Sequence, residues 1–332
     1  MNEIEKRMRI MGMRRTILSA IIVVMAGPGF AQTSLLPEDL QKTLRETNAI
    51  WQTGNLLANV KKMEESFTPL LLAKPKGDVI VESDISYGSD PKQKLDIYRP
   101  KAVIKEAPVV IFVHGGAYVM GDRNVNQAIY GNIPTWFARQ GVLALSMSYR
   151  LAPAATYPSG ADDVSAVVAW AKKNAARYGA DPDKIFLVGH SAGATHVATY
   201  AFNKKVQPAS GPGIAGMVLM SGRYRLNFDP KDPSGKFMQA YFGTDPAEYP
   251  DRSVINHIAG STVPTFVVIA EYDNPGLDVS GAEIYAALCI DGKKCPRFTR
   301  LKDHNHLSMV HSFDTADEAL GREILEFVTT KK

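Results

Sequence analysis

The stretch Val188-Gly189-His190-Ser191-Ala192-Gly193 contains a G-x-S-x-G pentapeptide between two segments of different character. The run Lys184 to Val188 before it is largely apolar, and the run from Ala192 to about Phe202 after it is helix-like. In a strand-turn-helix context this pattern predicts a nucleophile elbow, a sharp turn that raises the serine hydroxyl above the edge of a sheet. Glycines suit both flanking positions because the strand and the helix pass closely there. Ser191 is therefore the candidate nucleophile.

Near-continuous apolar runs recur on both sides of this turn. They are Val109 to Val113, Val142 to Met147, Ile185 to Val188, Met217 to Met220 and Phe266 to Ala270. Such runs are typical of strands buried on both faces, and helical stretches such as Asp162 to Tyr178 separate most of them. The alternation predicts an α/β fold with a mostly parallel central sheet and helices on both faces. The functional site is then expected at the carboxyl ends of the strands.

Two further features precede these strands. Val79 to Tyr87 and Leu95 to Tyr98 alternate apolar and polar residues around Gly88-Ser89-Asp90-Pro91, which predicts an N-terminal antiparallel hairpin. The stretch from Leu40 to about Met63 has apolar residues at roughly helical spacing and predicts one helix. We expect this helix either to pack against the sheet or to cover the site, and we favour packing alone.

The first 31 residues have the pattern of an export signal. A positive region is followed by the apolar stretch Ile17 to Gly27, which ends at Pro28-Gly29. The basic residues are Lys6, Arg7, Arg9, Arg14 and Arg15. Gly29-Phe30-Ala31 offers small residues where a signal peptidase reads the chain, so we expect cleavage after Ala31 and a periplasmic or secreted protein. The alternative is a retained anchor, although the apolar stretch is shorter than the roughly 20 residues that span a bilayer.

Charge and cysteine content narrow the function classes. The 332-residue chain has a formal net charge of +4. Removal of residues 1–31 leaves 33 basic and 32 acidic side chains, a net charge of +1, which lacks the basic footprint of a nucleic-acid-binding protein. Cys289 and Cys295 bracket a glycine-containing turn, which in an exported protein favours a small-loop disulfide over two reduced thiols.

The end of the run Val109 to Val113 carries a glycine-rich loop, His114-Gly115-Gly116-Ala117-Tyr118. Glycines allow backbone N–H groups to approach a ligand closely, so Gly115 and Gly116, together with Ala192, are candidate donors of an oxyanion hole. We interpret His114 as a residue that braces this loop, because a general base is expected after the last strand.

Two later strand ends carry candidate acid and base residues. Asp273 follows the run Phe266 to Tyr272 and can orient a histidine, with Glu271 as the reserve candidate. His304 and His306 both follow the short strand Phe298 to Lys302, and either imidazole is a candidate to accept the proton of a serine. The short histidine and carboxylate cluster lacks a framework such as H-E-x-x-H, so we expect no metal site.

The order Ser191, Asp273, His306 is the nucleophile, acid and base order of the α/β-hydrolases. Further motifs match as an ordered set: His114 to Tyr118 with Gly121-Asp122, Ser148 to Pro153, Asp181 to Lys184, Ala270 to Asp273 and Asn305 to Leu307. On these residues the chain resembles an α/β-hydrolase esterase of the hormone-sensitive-lipase-like and feruloyl-esterase-like (BD-FAE) group, related to the kynurenine formamidases. The resemblance covers nearly all of the chain from about Val79.

The resemblance implies a division of roles. Ser191 attacks a small acyl or aryl ester, His306 acts as base and then as acid, Asp273 orients His306, and no cofactor is required. The resemblance also implies that the N–H groups of Gly115, Gly116 and Ala192 hold the oxyanion. His306-Leu307 fits the pattern of the group, whereas His304-Asn305 does not, so His304 is the alternative base.

The resemblance also suggests a domain division and leaves rival functions open. A signal at residues 1–31 and a helical segment at residues 32–78, the candidate for a partial cap, precede a catalytic domain at residues 79–332. The long cap that many lipase-like members carry ahead of the sheet is represented only by Leu40 to Met63. An aryl formamidase uses the same triad, although export argues mildly against it. A non-catalytic binding module of the same fold is the alternative outside the enzymes. We expect a small-molecule ester as partner, with neither nucleic acid nor stable membrane insertion after removal of the signal.

Overall fold

A single eight-stranded sheet organises the described residues of the computed structural model, which are 33–126, 128–227, 235–292 and 295–330. The strands are β1 (Val79–Ser86), β2 (Lys94–Pro100), β3 (Ala107–Val113), β4 (Leu143–Met147), β5 (Ala180–His190), β6 (Gly216–Met220), β7 (Thr265–Tyr272) and β8 (Arg297–Asn305). The predicted signal at residues 1–31 lies outside the described residues.

The strand order in the sheet is β1-β2-β4-β3-β5-β6-β7-β8. β1 pairs with β2, and β2 with β4, in antiparallel fashion, while the pairs from β4 through β8 are parallel. This confirms the predicted mostly parallel sheet and the predicted hairpin. After β3 the chain adds β4 on one side and then crosses to add β5 on the other. A crevice at the carboxyl ends of the strands is expected at such a reversal, and the elbow after β5 lies there.

Helices cover both faces of the sheet. They are α1 (Glu38–Ala49), α2 (Leu56–Ala73), α3 (Asn132–Arg139), α4 (Ser159–Asn174), α5 (Ala192–Phe202), α6 (Gly235–Phe242), α7 (Tyr249–Arg252), α8 (Leu277–Asp291), α9 (Ser308–His311) and α10 (Ala319–Thr329). Short 3-10 helices span Thr33–Leu35, Ala175–Tyr178, Pro246–Glu248 and Val254–His257. Among the described residues, no helix has the length and apolar character needed to span a membrane.

Two apolar cores result from the alternation of side chains along the strands. Val110 and Phe112 of β3 point into a core with α1, α2, α3, α9 and α10, whereas Val109, Ile111 and Val113 point into a core with α4, α5 and α8. These strand residues are fully buried on both faces. The sheet is therefore packed between two layers of helices. This packing fixes the positions of the loops at the strand ends.

The N-terminal segment differs from its prediction. The single helix predicted from Leu40 to Met63 is wrong, because α1 ends at Ala49 and α2 begins at Leu56. The break contains Gly54, where a Cβ atom would lie 2.8 Å from the carbonyl oxygen of Ile50. Asn55 then starts α2, since its side chain accepts a hydrogen bond from the Ala58 N–H at 3.1 Å. The apolar spacing continued through the break, so periodicity alone did not reveal it.

The end of α8 is joined covalently to the chain that enters β8. Cys289 and Cys295 form a disulfide across this short connection. The bond is the one that the sequence spacing favours. The disulfide lies at the start of β8, whereas the loops described next lie at the ends of the strands. It closes the connection between α8 and β8.

Candidate active site

Ser191 occupies a strained turn between β5 and α5. Its backbone has φ 56° and ψ −122°, in the positive-φ region that residues with a Cβ atom rarely adopt. The turn is held because the Ser191 N–H donates to the carbonyl oxygen of Met220 at 2.8 Å. Close approach of β3 requires a glycine on the helix side, since a Cβ atom at Gly193 would lie 2.1 Å from the carbonyl oxygen of Val113. The geometry is that of the elbow that the sequence predicts.

Asp273 and His306 form a buried pair at two neighbouring strand ends. His306 Nδ1 lies 2.7 Å from Asp273 Oδ1, with Asp273 fully buried and His306 4% exposed. Because a carboxylate accepts the hydrogen bond, Nδ1 carries the proton and Nε2 is left as the basic nitrogen of the neutral ring. Asp273 also accepts from the N–H groups of Ala270 at 3.1 Å and Asn274 at 2.9 Å. Its orientation is therefore fixed from several directions.

Ser221 completes the surroundings of Asp273, and the sequence analysis missed it. It is the first residue after β6, and its hydroxyl donates to Asp273 Oδ2. A signal was present, because Ser221-Gly222 follows a buried apolar strand at the same edge of the sheet as the other strand-end candidates. A search of every strand end would have included it.

His190 links the elbow to the loop after β8 that carries His306. Its Nε2 donates to the carbonyl oxygen of His306 at 2.9 Å, and the two rings lie 4.6 Å apart between centroids. Burial, reinforced by the neighbouring His306, lowers the pKa of His190 well below its usual value. His190 is thus a neutral ring. Because it directly precedes Ser191, its hydrogen bond holds the backbone of His306 close to the elbow. This contact joins positions 116 residues apart, so no local sequence pattern indicates it.

The glycine-rich loop after β3 lies against Ser191. A Cβ atom on Gly115 would lie 3.0 Å from the Cβ atom of Ser191, and Gly116 has φ +135° with no room for a Cβ atom beside the Met120 carbonyl. His114 is fully buried, and its Nδ1 donates to the Gly115 carbonyl oxygen at 2.6 Å. Burial lowers the pKa of His114 to about 4. A neutral His114 thus braces the loop.

His304 and Glu271 have other partners. His304 is buried, with Nε2 2.9 Å from Asp317 Oδ2 and Nδ1 3.1 Å from the hydroxyl of Ser308. Glu271 accepts a hydrogen bond from the Asp303 N–H at 2.8 Å and pairs with Arg300. The structure therefore brings His306, and not His304, to Asp273. Across the described ranges, no group of three or more His, Cys, Asp or Glu side chains is arranged to hold a metal ion.

The sheet, the elbow after β5 and the acid and base positions after β7 and β8 together define an α/β-hydrolase fold. The sequence profile of the BD-FAE family matches residues 95–276, which is 182 of the 332 residues. The chain therefore belongs to the BD-FAE family. The matched range contains the glycine-rich loop, Ser191 and Asp273, and it ends before His306.

Individual relatives agree with this assignment. The chain is 31% identical over 207 residues to esterase LipC of Mycobacterium tuberculosis, a match that covers 57% of this chain and 50% of LipC. It is 35% identical over 131 residues to a probable isoprenylcysteine alpha-carbonyl methylesterase, ICMEL1, of Oryza sativa subsp. japonica, covering 40% of this chain and 30% of that protein. The chain thus spans half or less of the length of these two relatives.

Solved structures show the same fold. Esterase B from Lactobacillus rhamnosis superposes with a TM-score of 0.66 at 20% sequence identity, over 87% of this chain and 95% of that chain. At this identity the likeness concerns the fold.

Proposed function

We propose that this protein is a serine carboxylic-ester hydrolase that acts on small acyl or aryl esters. Ser191 is the nucleophile, His306 the general base and acid, and Asp273 the residue that orients His306. The N–H groups of Gly115, Gly116 and Ala192 stabilise the oxyanion. No cofactor takes part in this scheme.

The observation that carries the proposal is the 2.7 Å contact between His306 Nδ1 and Asp273 Oδ1 at the strand ends beside a strained Ser191. A buried carboxylate on Nδ1 favours the tautomer with a basic Nε2 and stabilises the imidazolium that forms when this nitrogen accepts a proton. His190, which directly precedes Ser191, donates a hydrogen bond to the carbonyl oxygen of His306, and this contact supports the closeness of His306 and Ser191. The family and the esterase names of its relatives agree with this chemistry.

The reaction proceeds in two halves. In the first half, Ser191 Oγ bonds to the ester carbonyl carbon while its proton passes to His306 Nε2. Collapse of the tetrahedral intermediate breaks the ester bond, and His306 returns the proton to the leaving alcohol. In the second half, water attacks the acyl-enzyme, gives a proton to His306 and releases the acid, and the proton returns to Ser191.

Aromatic packing beside the elbow supports a small acyl group. Tyr118 of the glycine-rich loop stacks on Tyr241 with ring centroids 5.1 Å apart and meets Phe242 edge-on at 5.0 Å. These rings share an apolar cluster with Ala192, the residue after the nucleophile. Buried rings fill the volume on this side of Ser191, which favours short acyl chains over long ones. The structural neighbour esterase B was solved with a C4-C4 tributyrin phosphonate and with a C6-C4 inhibitor.

The test is hydrolysis of p-nitrophenyl esters of increasing acyl length by residues 32–332, beside Ser191→Ala and an aryl formamide. We expect Ser191-dependent turnover that is greatest for short esters, with little cleavage of the formamide. Preferential cleavage of the formamide would favour the alternative function, an aryl formamidase that uses the same triad. Absence of Ser191-dependent turnover of both substrates in a folded protein would contradict the proposal and favour the binding module.

We further propose that the protein is exported and cleaved after Ala31, so that residues 32–78 form the N-terminal helical segment and residues 79–332 the catalytic domain. The disulfide between Cys289 and Cys295 supports this, because such bonds persist in oxidising compartments. N-terminal sequencing of the protein from the periplasm or medium is expected to begin at Gln32. An intact N-terminus on membrane-bound protein would favour a retained anchor instead.

A further inference from the structure

The loop that carries His306 is attached to the N-terminal helical segment by a pair of buried amides. Asn305 Nδ2 donates to Asn48 Oδ1 at 2.8 Å, and Asn48 Nδ2 donates to the Asp303 carbonyl oxygen at 2.9 Å. Asn305 is fully buried and Asn48 is 8% exposed. Asn48 lies in the last turn of α1. One side chain of the helical segment therefore forms hydrogen bonds with Asp303 and Asn305, the residues on both sides of His304.

The orientation of both amides follows from their partners. Asn305 Oδ1 accepts from the N–H groups of Leu307 at 3.0 Å and Ser308 at 2.9 Å, which fixes this oxygen toward the start of α9. Its Nδ2 must then face Asn48, whose oxygen accepts and whose nitrogen is directed to Asp303. The hydrogen bonds run in one direction, from Asn305 to Asn48 and from Asn48 to Asp303, and both contacts lie just before His306 in the chain.

The loop needs this support because its backbone is strained. Asp303, three residues before His306, has φ 62°, a left-handed conformation in which non-glycine residues are uncommon. Its carbonyl oxygen is held by Asn48, and its N–H donates to Glu271 at 2.8 Å. A strained backbone persists only where its surroundings determine it from several sides. Asn48 supplies one of these sides from outside the catalytic sheet.

The same segment also reaches the loop of the acid residue. Trp51 Nε1 donates to Asn274 Oδ1 at 2.9 Å, and Gln52 Nε2 lies 3.3 Å from the carbonyl oxygen of Asp273. Residues 48–52 therefore contact both loops whose side chains must meet at 2.7 Å. A segment that merely covered the site would not need paired polar contacts to the backbone of each loop.

We propose that Asn48 is a positioning residue for His306, acting through Asn305, so that the N-terminal helical segment is part of the active-site framework. The inference rests on the proposed ester hydrolysis. Misplacement of a reacting group by about 1 Å costs on the order of 10²-fold in rate. Removal of the Asn48 amide is therefore expected to slow the chemical step while substrate binding is retained.

The test compares Asn48→Ala with Thr47→Val in steady-state hydrolysis of a short p-nitrophenyl ester. Thr47 is the neighbouring residue of α1, is fully buried, and spends its hydroxyl on the Thr43 carbonyl oxygen of its own helix at 2.7 Å. Both changes remove a buried hydrogen bond of α1, but only Asn48→Ala removes the hydrogen bonds to Asp303 and Asn305. We expect kcat to fall about 10- to 100-fold in Asn48→Ala with KM within about twofold, and kcat to be retained in Thr47→Val.

A double-mutant cycle with Asn305→Ala tests the route. If Asn48 acts on His306 through Asn305, the loss of kcat in the double variant is smaller than the product of the two single losses, although the separate contact of Asn48 with the Asp303 carbonyl oxygen leaves some further loss. Multiplied losses, or a kcat of Asn48→Ala within twofold of that of Thr47→Val at equal thermal stability, would overturn the proposal. Asn48→Leu, which keeps the branched arrangement of side-chain heavy atoms without the amide, replaces Asn48→Ala if the smaller side chain prevents folding.

A readout without turnover separates this inference from the proposed function. The downfield ¹H NMR resonance of the His306 Nδ1 proton, identified by its loss in His306→Ala, reports the contact with Asp273. We expect it to broaden or shift in Asn48→Ala and to persist in Thr47→Val, whether or not the wild-type protein hydrolyses the ester. An unchanged resonance would overturn the positioning role, whereas an inactive wild-type protein would overturn only the proposed reaction.

Discussion

Asp273 receives hydrogen bonds from the Ser221 hydroxyl, from the Ala270 and Asn274 N–H groups, and from His306. Of these five residues, Asp273 and His306 are predicted from the sequence, because strand ends in an α/β sheet and the chain order of the hydrolases point to them. The backbone donors leave no pattern in the sequence, whereas Ser221 carries the same signal as Asp273, a polar residue directly after a buried strand. Side chains at the strand ends were thus predictable, and the hydrogen bonds that orient them were not.

Substitution of His304 and of His306 in turn distinguishes the proposed base from its alternative. His306→Ala is expected to lower kcat by about 10⁴-fold or more, since triad members act as a unit. His304→Ala removes a buried partner of Asp317 and Ser308, so its main effect is expected on stability, with kcat far less affected in the folded protein. Steady-state kinetics with thermal unfolding of both variants measures the difference. A larger loss of kcat in His304→Ala would contradict the assignment.

Ser221→Ala tests the orientation of the acid residue. The serine hydroxyl is buried and donates to Asp273 Oδ2, while His306 bonds to Oδ1. Loss of this donor is expected to reduce kcat by about 10-fold with little change in KM, because the remaining backbone donors still hold the carboxylate. An unchanged kcat would assign Ser221 to packing alone.

At the scale of elements, the sheet followed closely from the sequence, whereas the N-terminal helices did not. Buried strands are read from continuous apolar runs, and the elbow helix Ala192–Phe202 has the bounds that the sequence predicts. The break between α1 and α2 depends on a local contact at Gly54 and a cap at Asn55. The contacts of Asn48 with Asp303 and Asn305 join positions about 255 residues apart and have no local signature.

Gly116→Ala tests the glycine-rich loop as a unit. Gly116 has φ +135°, and a Cβ atom would lie 1.9 Å from the carbonyl oxygen of Met120, so alanine must displace the loop backbone. If the N–H groups of this loop hold the oxyanion, turnover is expected to fall about 10²- to 10³-fold, as for loss of one donor. Gly141→Ala is the matched control, since Gly141 also has a positive φ but open space around its Cβ position. Equal activity of the two variants would contradict the role of the loop.

At the scale of the whole molecule, several buried histidines make stability depend on pH. Burial lowers the pKa of His114 to about 4 and of His196 and His311 to about 3, whereas the unfolded chain has a histidine pKa of about 6.5. Between these values the unfolded state binds more protons than the folded state. The contribution of these groups to stability is therefore complete above pH 6.5 and is lost as the pH falls toward their folded pKa values.

His196→Phe measures this contribution at one position. His196 packs among Tyr118, Tyr149 and Tyr241, and its Nε2 has no hydrogen-bond partner within the part of the chain that the structure describes. The variant is expected to lose about 2 kcal/mol less stability than the wild-type protein between pH 7 and pH 5, measured by urea unfolding at each pH. Parallel pH profiles for the two proteins would contradict the assignment of a neutral buried ring.

The measurement that tests the central claim most directly is the reaction of the folded protein with a p-nitrophenyl alkylphosphonate. The account predicts release of one equivalent of p-nitrophenol, a matching mass increase located on Ser191, and loss of both in Ser191→Ala. His306→Ala is expected to label far more slowly, because the hydroxyl then lacks its base. Absence of labelling in the folded wild-type protein, or a label on another residue, would contradict Ser191 as the nucleophile of this hydrolase.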